Sequence, residues 1–288
     1  VDFDPGTPTH LLTATGTKSD IFITKLDVNG NFLWTQQFGG ALDDKATSIK
    51  VDQNGDILFS GYFDGIVDFD YGSGTKNIDA INGDLFICKI TSSGSFVWAK
   101  QFMGNSYDNR TYIDVDNSNN IILSGMFFGT SDFDPSAAVF NLTSNGMTDV
   151  FVLKLNFAGN FVWAKSFGGT RHESPKSITV DGFGNVIILG DFELTVDFDP
   201  GSSVNNLTST LNGREVFVNK LNSSGNFVWA KHFESIPSTS YWNNFEIYGN
   251  DIISDNLGNI IVVGIMDSAI CFDPGSCLNV FGNSRGGS

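Results

Sequence analysis

Positive charge is scarce in this sequence. Across 288 residues, 16 Lys and Arg stand against 32 Asp and Glu, a net charge of −16, and charged residues make up only 17% of the chain. Nucleic-acid binding without sequence preference draws its affinity from Lys and Arg neutralising phosphates, and anionic membrane surfaces attract the same residues, so neither is an expected partner. No apolar run approaches the roughly 20 residues of a membrane span, so no membrane insertion is expected. The opening Val1-Asp2-Phe3-Asp4-Pro5 has neither the basic flank nor the apolar core of a signal peptide. Any export signal is expected outside this segment. Histidine is sparse too: His10, His172 and His232 are scattered, and neither a nucleophile elbow nor a phosphate-binding glycine motif occurs. No catalytic constellation is legible, and a sustained helical period is missing as well.

What fills the chain is Gly (32) and Phe (27), arranged in a repeat. Trp34, Trp98, Trp163 and Trp229 sit in Phe-Leu/Val-Trp triplets spaced 64, 65 and 66 residues apart. Upstream of each lies an apolar strand, Ile21–Leu26, Leu85–Ile90, Val150–Leu155 or Val216–Leu221. Downstream comes a turn beginning at Asp52, Asp116, Asp181 or Asp255, then a second apolar strand containing a Gly. Two five-residue turns recur per unit. Seven of the eight carry Gly in fourth place and the eighth carries Asn119, the pattern of a hairpin loop with one left-handed residue. Two hairpins make four strands, and the outermost alternates Phe96, Trp98, Lys100 and Phe102 on one face.

A four-stranded antiparallel meander repeated at this period must stack on copies of itself to bury both faces. The fold expected is therefore all-β, a β-propeller of four-stranded blades. The units are approximately 1–46 (half blade), 47–110, 111–175, 176–240 and 241–288 (half blade). Three full blades thus lie between a half blade with the third and fourth strands and one with the first and second. The half blades can pair within the chain into a fourth blade, belong to a longer array, or complete one another between copies.

The repeat, with Phe-x-x-Lys-Leu, Gly-Asn-Phe-x-Trp and Phe-Gly-Gly, resembles the β-propeller repeat of large secreted and surface proteins of bacteria. Its Asp-Phe-Asp-Pro-Gly form is similar to Bacteroidetes-type versions whose relatives are often exported by type IX secretion. The resemblance implies an extracellular or cell-surface setting and no single activity.

The paired carboxylates Asp2/Asp4, Asp68/Asp70, Asp132/Asp134 and Asp197/Asp199 are two residues apart, so they share one side of an extended strand. With loop carbonyls they can begin a calcium site. The competing reading is turn formation, with the intervening Phe as a buried plug; Tyr71 replacing Pro and Cys271 replacing the first Asp favour it. The repeated Trp reads as core between blades, and Asp44, Asp108 and Glu173 as a repeated scaffold acid.

Positions where the units disagree are the better candidates for function, because loops on a rigid frame carry specificity. The last linker between an outer strand and the next turn is eight residues longer than the others and holds Tyr241, Trp242, Asn243 and Asn244, a candidate contact surface for a protein or glycan. Cys271 and Cys277 flank a Pro-Gly turn, which suggests a local disulfide, and Cys88 reads as a free packed thiol. The function expected is a non-enzymatic structural or adhesive scaffold. The alternatives are a glycan-binding module using the Tyr241/Trp242 loop and a propeller hydrolase.

Overall fold

The computed structural model describes residues 1–4, 6, 9–102, 110–209, 213–235, 247–266, 270–272 and 280–281. Among the described residues every regular element is a β-strand. The first unit contributes β1 (Ile21–Leu26) and β2 (Phe32–Phe38). The second contributes β3 (Lys45–Val51), β4 (Ile57–Asp68), β5 (Asn77–Ile90) and β6 (Phe96–Phe102). The third runs β7 (Thr111–Val115), β8 (Ile121–Phe127), β9 (Thr130–Asp132), β10 (Asn141–Thr143), β11 (Asp149–Leu155) and β12 (Phe161–Gly169). The fourth runs β13 (Ser174–Val180), β14 (Val186–Glu193), β15 (Thr195–Asp197), β16 (Asn206–Thr208), β17 (Arg214–Leu221) and β18 (Phe227–Ser235). The last holds β19 (Ile247–Ser254), β20 (Ile260–Met266), β21 (Ile270–Cys271) and β22 (Val280–Phe281).

Each complete unit is an antiparallel meander, β3-β4-β5-β6, β7-β8-β11-β12 and β13-β14-β17-β18, as the turn spacing predicts. The turns close as expected. Gly30, Gly55, Gly94, Gly159, Gly184, Gly225 and Gly258 have φ between 76° and 88°, and Asn119 has 59°. An Asx acceptor rigidifies them: Asp52 Oδ1 accepts from Asn54 N at 2.9 Å and from Asp56 N at 3.0 Å.

Two features go beyond the expected four strands. The Asp-Phe-Asp segments form their own hairpins, and two of these add to the outer strand of the preceding sheet, Gly168 pairing with Asp197 and Glu234 with Cys271. The sheets around β12 and β18 are thus six-stranded. This join explains the second Gly of Phe-Gly-Gly: a Cβ on Gly169 would lie 2.5 Å from the Thr195 carbonyl oxygen, and one on Gly40 would fall on the Ile66 carbonyl.

The core lies between successive sheets. Phe38 of one unit meets Phe59 and Tyr71 of the next, and Phe167 meets Phe198 and Phe217. The repeated Trp completes these seams. Trp98 packs against Gly159 in the next unit's turn, and Trp163 Nε1 donates to Ser223 O at 3.3 Å. First strands of neighbouring units are stitched together by Ile113 N donating to Ser48 Oγ at 3.1 Å, Val180 N donating to Asp114 Oδ2 at 2.8 Å, and Ser177 Oγ donating to Asp251 Oδ1 at 2.6 Å. The terminal pairs β1–β2 and β19–β20 stay separate two-stranded sheets, so the closure of one upon the other is not formed.

Candidate functional site

The Asp-Phe-Asp carboxylates are built into their turns. Asp197 Oδ1 accepts from Asp199 N at 3.1 Å and from Asn205 N at 2.8 Å, while Asp199 Oδ1 accepts from Gly201 N at 2.7 Å. Asp132 with Asp134, Asp68 with Asp70, and Asp2 with Asp4 repeat the pattern, down to the acceptance from Phe140 N, Lys76 N and His10 N respectively. Backbone donation from His10 and Asp4 holds the Asp2 pKa below its ordinary value. Between each full-unit pair, Phe69, Phe133 or Phe198 is fully buried. The calcium candidates therefore act as turn acceptors, and among the described residues no group of three or more His, Cys, Asp or Glu is arranged to hold a metal ion.

A second repeated constellation joins the third strand to the first turn. Lys89 Nζ lies 2.8 Å from Asp52 Oδ2 and 3.2 Å from Asp56 Oδ2; Lys154 lies 2.9 Å from Asp116, and Lys220 lies 2.8 Å from Asp181. Burial opposes the Asp116 carboxylate, but bonds from Asn120 and Lys154 outweigh it and hold its pKa below the ordinary value. The same balance operates at Asp181, with Lys220 and Asn185 as the donors.

A third set comprises the acids immediately preceding Ile21, Leu85, Val150 and Val216 on the third strands, namely Asp20, Asp84, Asp149 and Glu215. Gln37 donates to Asp20 at 2.6 Å, Gln101 donates to Asp84, and His232 Nδ1 lies 2.7 Å from Glu215. In the third unit Ser166 stands where these partners do, and no hydrogen bond reaches Asp149 Oδ1. Asp149 is buried near Glu173, whose Oε2 accepts from Gly169 N at 2.9 Å and whose Oε1 also has no hydrogen-bond partner. Burial pushes Asp149 up to about 6 and Glu173 up to about 8, the latter aided by the Asp149 charge. Asp44, the counterpart of Glu173, bonds Gly40 N at 2.7 Å and is pushed up to about 6 by burial. The sequence carried the signal for this set, an acid immediately before each of Ile21, Leu85, Val150 and Val216, but not its burial.

The unit-specific loop residues Tyr241, Trp242, Asn243 and Asn244 lie outside the described residues, as do Asp108 and Cys277. Cys271 is disulfide-bonded, and Cys88 is a buried free thiol. An apolar pocket of about 490 Å³ lies at the last unit, lined by Val216 and Phe233 on one side and by Ile260, Val262, Gly264 and Phe272 on the other. Val263 and Ile265, which also line it, and Ile261 are exposed on β20, whereas every residue of β8 is buried.

The fold defines an all-β repeat protein of stacked antiparallel meanders. No family model matches the sequence. Among curated proteins it is similar to an uncharacterized WD repeat-containing protein of Acanthamoeba polyphaga mimivirus, at 29% identity over 171 residues, 54% of this chain. The matched region spans 12% of that relative's length.

Proposed function

We propose that the chain is a β-propeller-type segment serving as a non-enzymatic interaction scaffold in a secreted or surface-attached protein. One observation carries this reading: in the complete units the Asp-Phe-Asp carboxylates and the third-strand lysines are engaged by the frame itself. Asp-Phe-Asp carboxylates accept from turn backbone, and Lys89, Lys154 and Lys220 pair with turn aspartates. The unusual acids, Asp149 and Glu173, are buried away from any external substrate. What remains for partners is the apolar edge at β20, together with the unit-specific Tyr241/Trp242 linker that the sequence singles out. The disulfide at Cys271 supports an oxidising, extracellular setting.

The test is a panel of hydrolase substrates together with a glycan array, each run on the intact chain and on the Tyr241→Ala/Trp242→Ala variant. The scaffold reading expects no turnover and no glycan signal. Saturable glycan binding lost in the double variant would replace it with a lectin, and turnover abolished by a single buried-acid substitution would replace it with an enzyme.

A further inference from the structure

In the three complete units the second strand is covered by the third in one register: Ile57 faces Ile90, Ile121 faces Leu155 and Val186 faces Leu221. Within that register a Gly on the second strand faces a Phe on the third, namely Gly61 and Phe86, Gly125 and Phe151, Gly190 and Phe217. The Gly makes room for the ring: a Cβ on Gly190 would come within 2.6 Å of the Phe217 ring, and one on Gly125 within 2.7 Å of Phe151. The half units hold the two sides of this arrangement apart. Among the described residues no third strand lies beside Gly264 on β20, and Phe22 on β1 is 58% exposed while Phe217 is fully buried.

The pocket at β20 matches the missing ring. Phe217 sits among Val150, Phe167, Val186, Ile188, Phe192 and Phe198. One unit further on, the equivalent positions are Val216, Phe233, Ile260, Val262, Met266 and Phe272, and all six line the pocket of about 490 Å³. Charge is matched as well. Lys89, Lys154 and Lys220 each pair with the Asp opening their unit's first turn. Among the described residues their counterpart Lys25 keeps only the contact with the neighbouring turn, donating to Ser92 O at 2.7 Å, as Lys154 does to Ser223 O. Among the same residues the turn aspartate of the last unit, Asp255, accepts only from its own loop, Leu257 N, Asn259 N and Asn259 Nδ2.

We propose that β20 takes β1 of a second copy of this chain as its third strand, giving head-to-tail assembly. In the register of the complete units Ile260 faces Leu26, Gly264 faces Phe22 and Ile265 faces Ile21, with Phe22 filling the pocket and Lys25 reaching Asp255. The unpaired backbone of the β20 edge gains a ladder, and its exposed apolar residues gain cover. On the free chain Phe3 lies 4.7 Å from Phe22, occupying the ring face that Phe198 takes against Phe217 at 5.0 Å. Phe272 stands in the Phe198 place at the pocket, so the amino-terminal loop of the incoming copy lifts away on docking.

The experiment is native mass spectrometry and light scattering of the whole chain across a concentration series, with the variants Lys25→Asp, Asp255→Lys and Phe22→Ala. Phe22 is exposed, whereas Lys25 and Asp255 are half-buried and Asp255 is the acceptor of its own turn. A thermal melt checks each fold, and Asp255→Asn, which keeps a turn acceptor while removing the charge, is expected to weaken assembly with its melt unchanged. Wild type is expected to assemble with concentration. Each charge variant alone is expected to associate at least tenfold more weakly, because like charges then meet at the junction. An equimolar mixture of Lys25→Asp and Asp255→Lys is expected to recover, since every junction between unlike chains restores an opposite pair. Phe22→Ala is expected to weaken assembly without rescue by mixing. The proposal is overturned if the wild-type chain stays monomeric, if the charge variants assemble as wild type does, or if mixing fails to restore association. Monomers whose β20 amides resist hydrogen exchange would assign the edge to closure within one chain instead.

Discussion

Lys154 Nζ lies 2.9 Å from Asp116 Oδ2, and the two side chains are only 7% and 8% exposed. This contact ties a third strand to the first turn of its own unit, and through Ser223 O the same ammonium reaches the next unit. Removing one partner leaves a buried charge uncompensated, which costs about 3–5 kcal/mol. Lys154→Ala is therefore expected to lower the unfolding free energy by that order in urea titrations. Lys25→Ala, at the half-buried counterpart, is expected to cost under about 1 kcal/mol. Equal losses at the two sites would show that burial of the pair is not what matters.

Glycine spacing makes a second prediction. Gly169→Ala brings its Cβ to 2.5 Å from the Thr195 carbonyl oxygen, where β12 meets β15. The backbone must shift to accept it, at about 1–3 kcal/mol. Gly182→Ala meets nothing within 4 Å and serves as the control, expected to leave the thermal midpoint unchanged or slightly raised.

Glu173 governs a pH dependence. Burial raises its pKa from 4.5 to about 8, so the folded state favours the protonated acid. A group raised on folding lends stability that is complete below its unfolded pKa and lost as pH climbs through the folded one. Stability is expected to fall between about pH 4.5 and 8, by on the order of 1.4 kcal/mol for each unit of the shift. Asp149 and Asp44 add losses in the same direction, from 3.8 to about 6. Asp116 and Asp181, whose pKa values are lowered, act oppositely, and their contribution disappears as pH drops below 3.8. Glu173→Gln is expected to flatten the upper part of the profile; an unchanged slope in melts from pH 5 to 8 would refute this assignment.

The Asp-Phe-Asp turns give a fourth prediction. Asp197→Ala strips two backbone N–H groups, of Asn205 and Asp199, of their acceptor and is expected to cost about 1–3 kcal/mol. Melts with and without a calcium chelator are expected to coincide, for wild type and variant alike. A drop in the wild-type midpoint on chelation, absent in the variant, would make these residues cation ligands in addition to turn acceptors.

The period, the strand number of each meander and the turn geometry were legible in the residues alone. They depend on short-range chemistry: Gly or Asn supplies the left-handed turn residue, Asp caps its own loop, and alternating apolar residues mark strands. The aspartates of Asp-Phe-Asp were legible as a pair, yet their spacing served a cation site and a turn equally well. Hydrogen bonds from Phe140 N and Asn205 N, each eight residues from its acceptor, account for Asp132 and Asp197 as turn residues.

Other features depended on which surfaces meet. Val186–Glu193 and Ile260–Met266 read as the same apolar strand, but the first is enclosed between two neighbours and the second lies open on its outer edge. Lys25 and Lys154 occupy one position of the repeat, and only Lys154 has its carboxylate. The joining of the β15–β16 hairpin to the preceding sheet through Gly168 and Gly169 was likewise hidden, because nothing local to Phe-Gly-Gly names the strand that will lie against it. The sequence by itself determined the unit; the tertiary structure decided which copies of the unit are complete, because burial and ion pairing belong to two surfaces in contact and neither surface encodes the presence of the other.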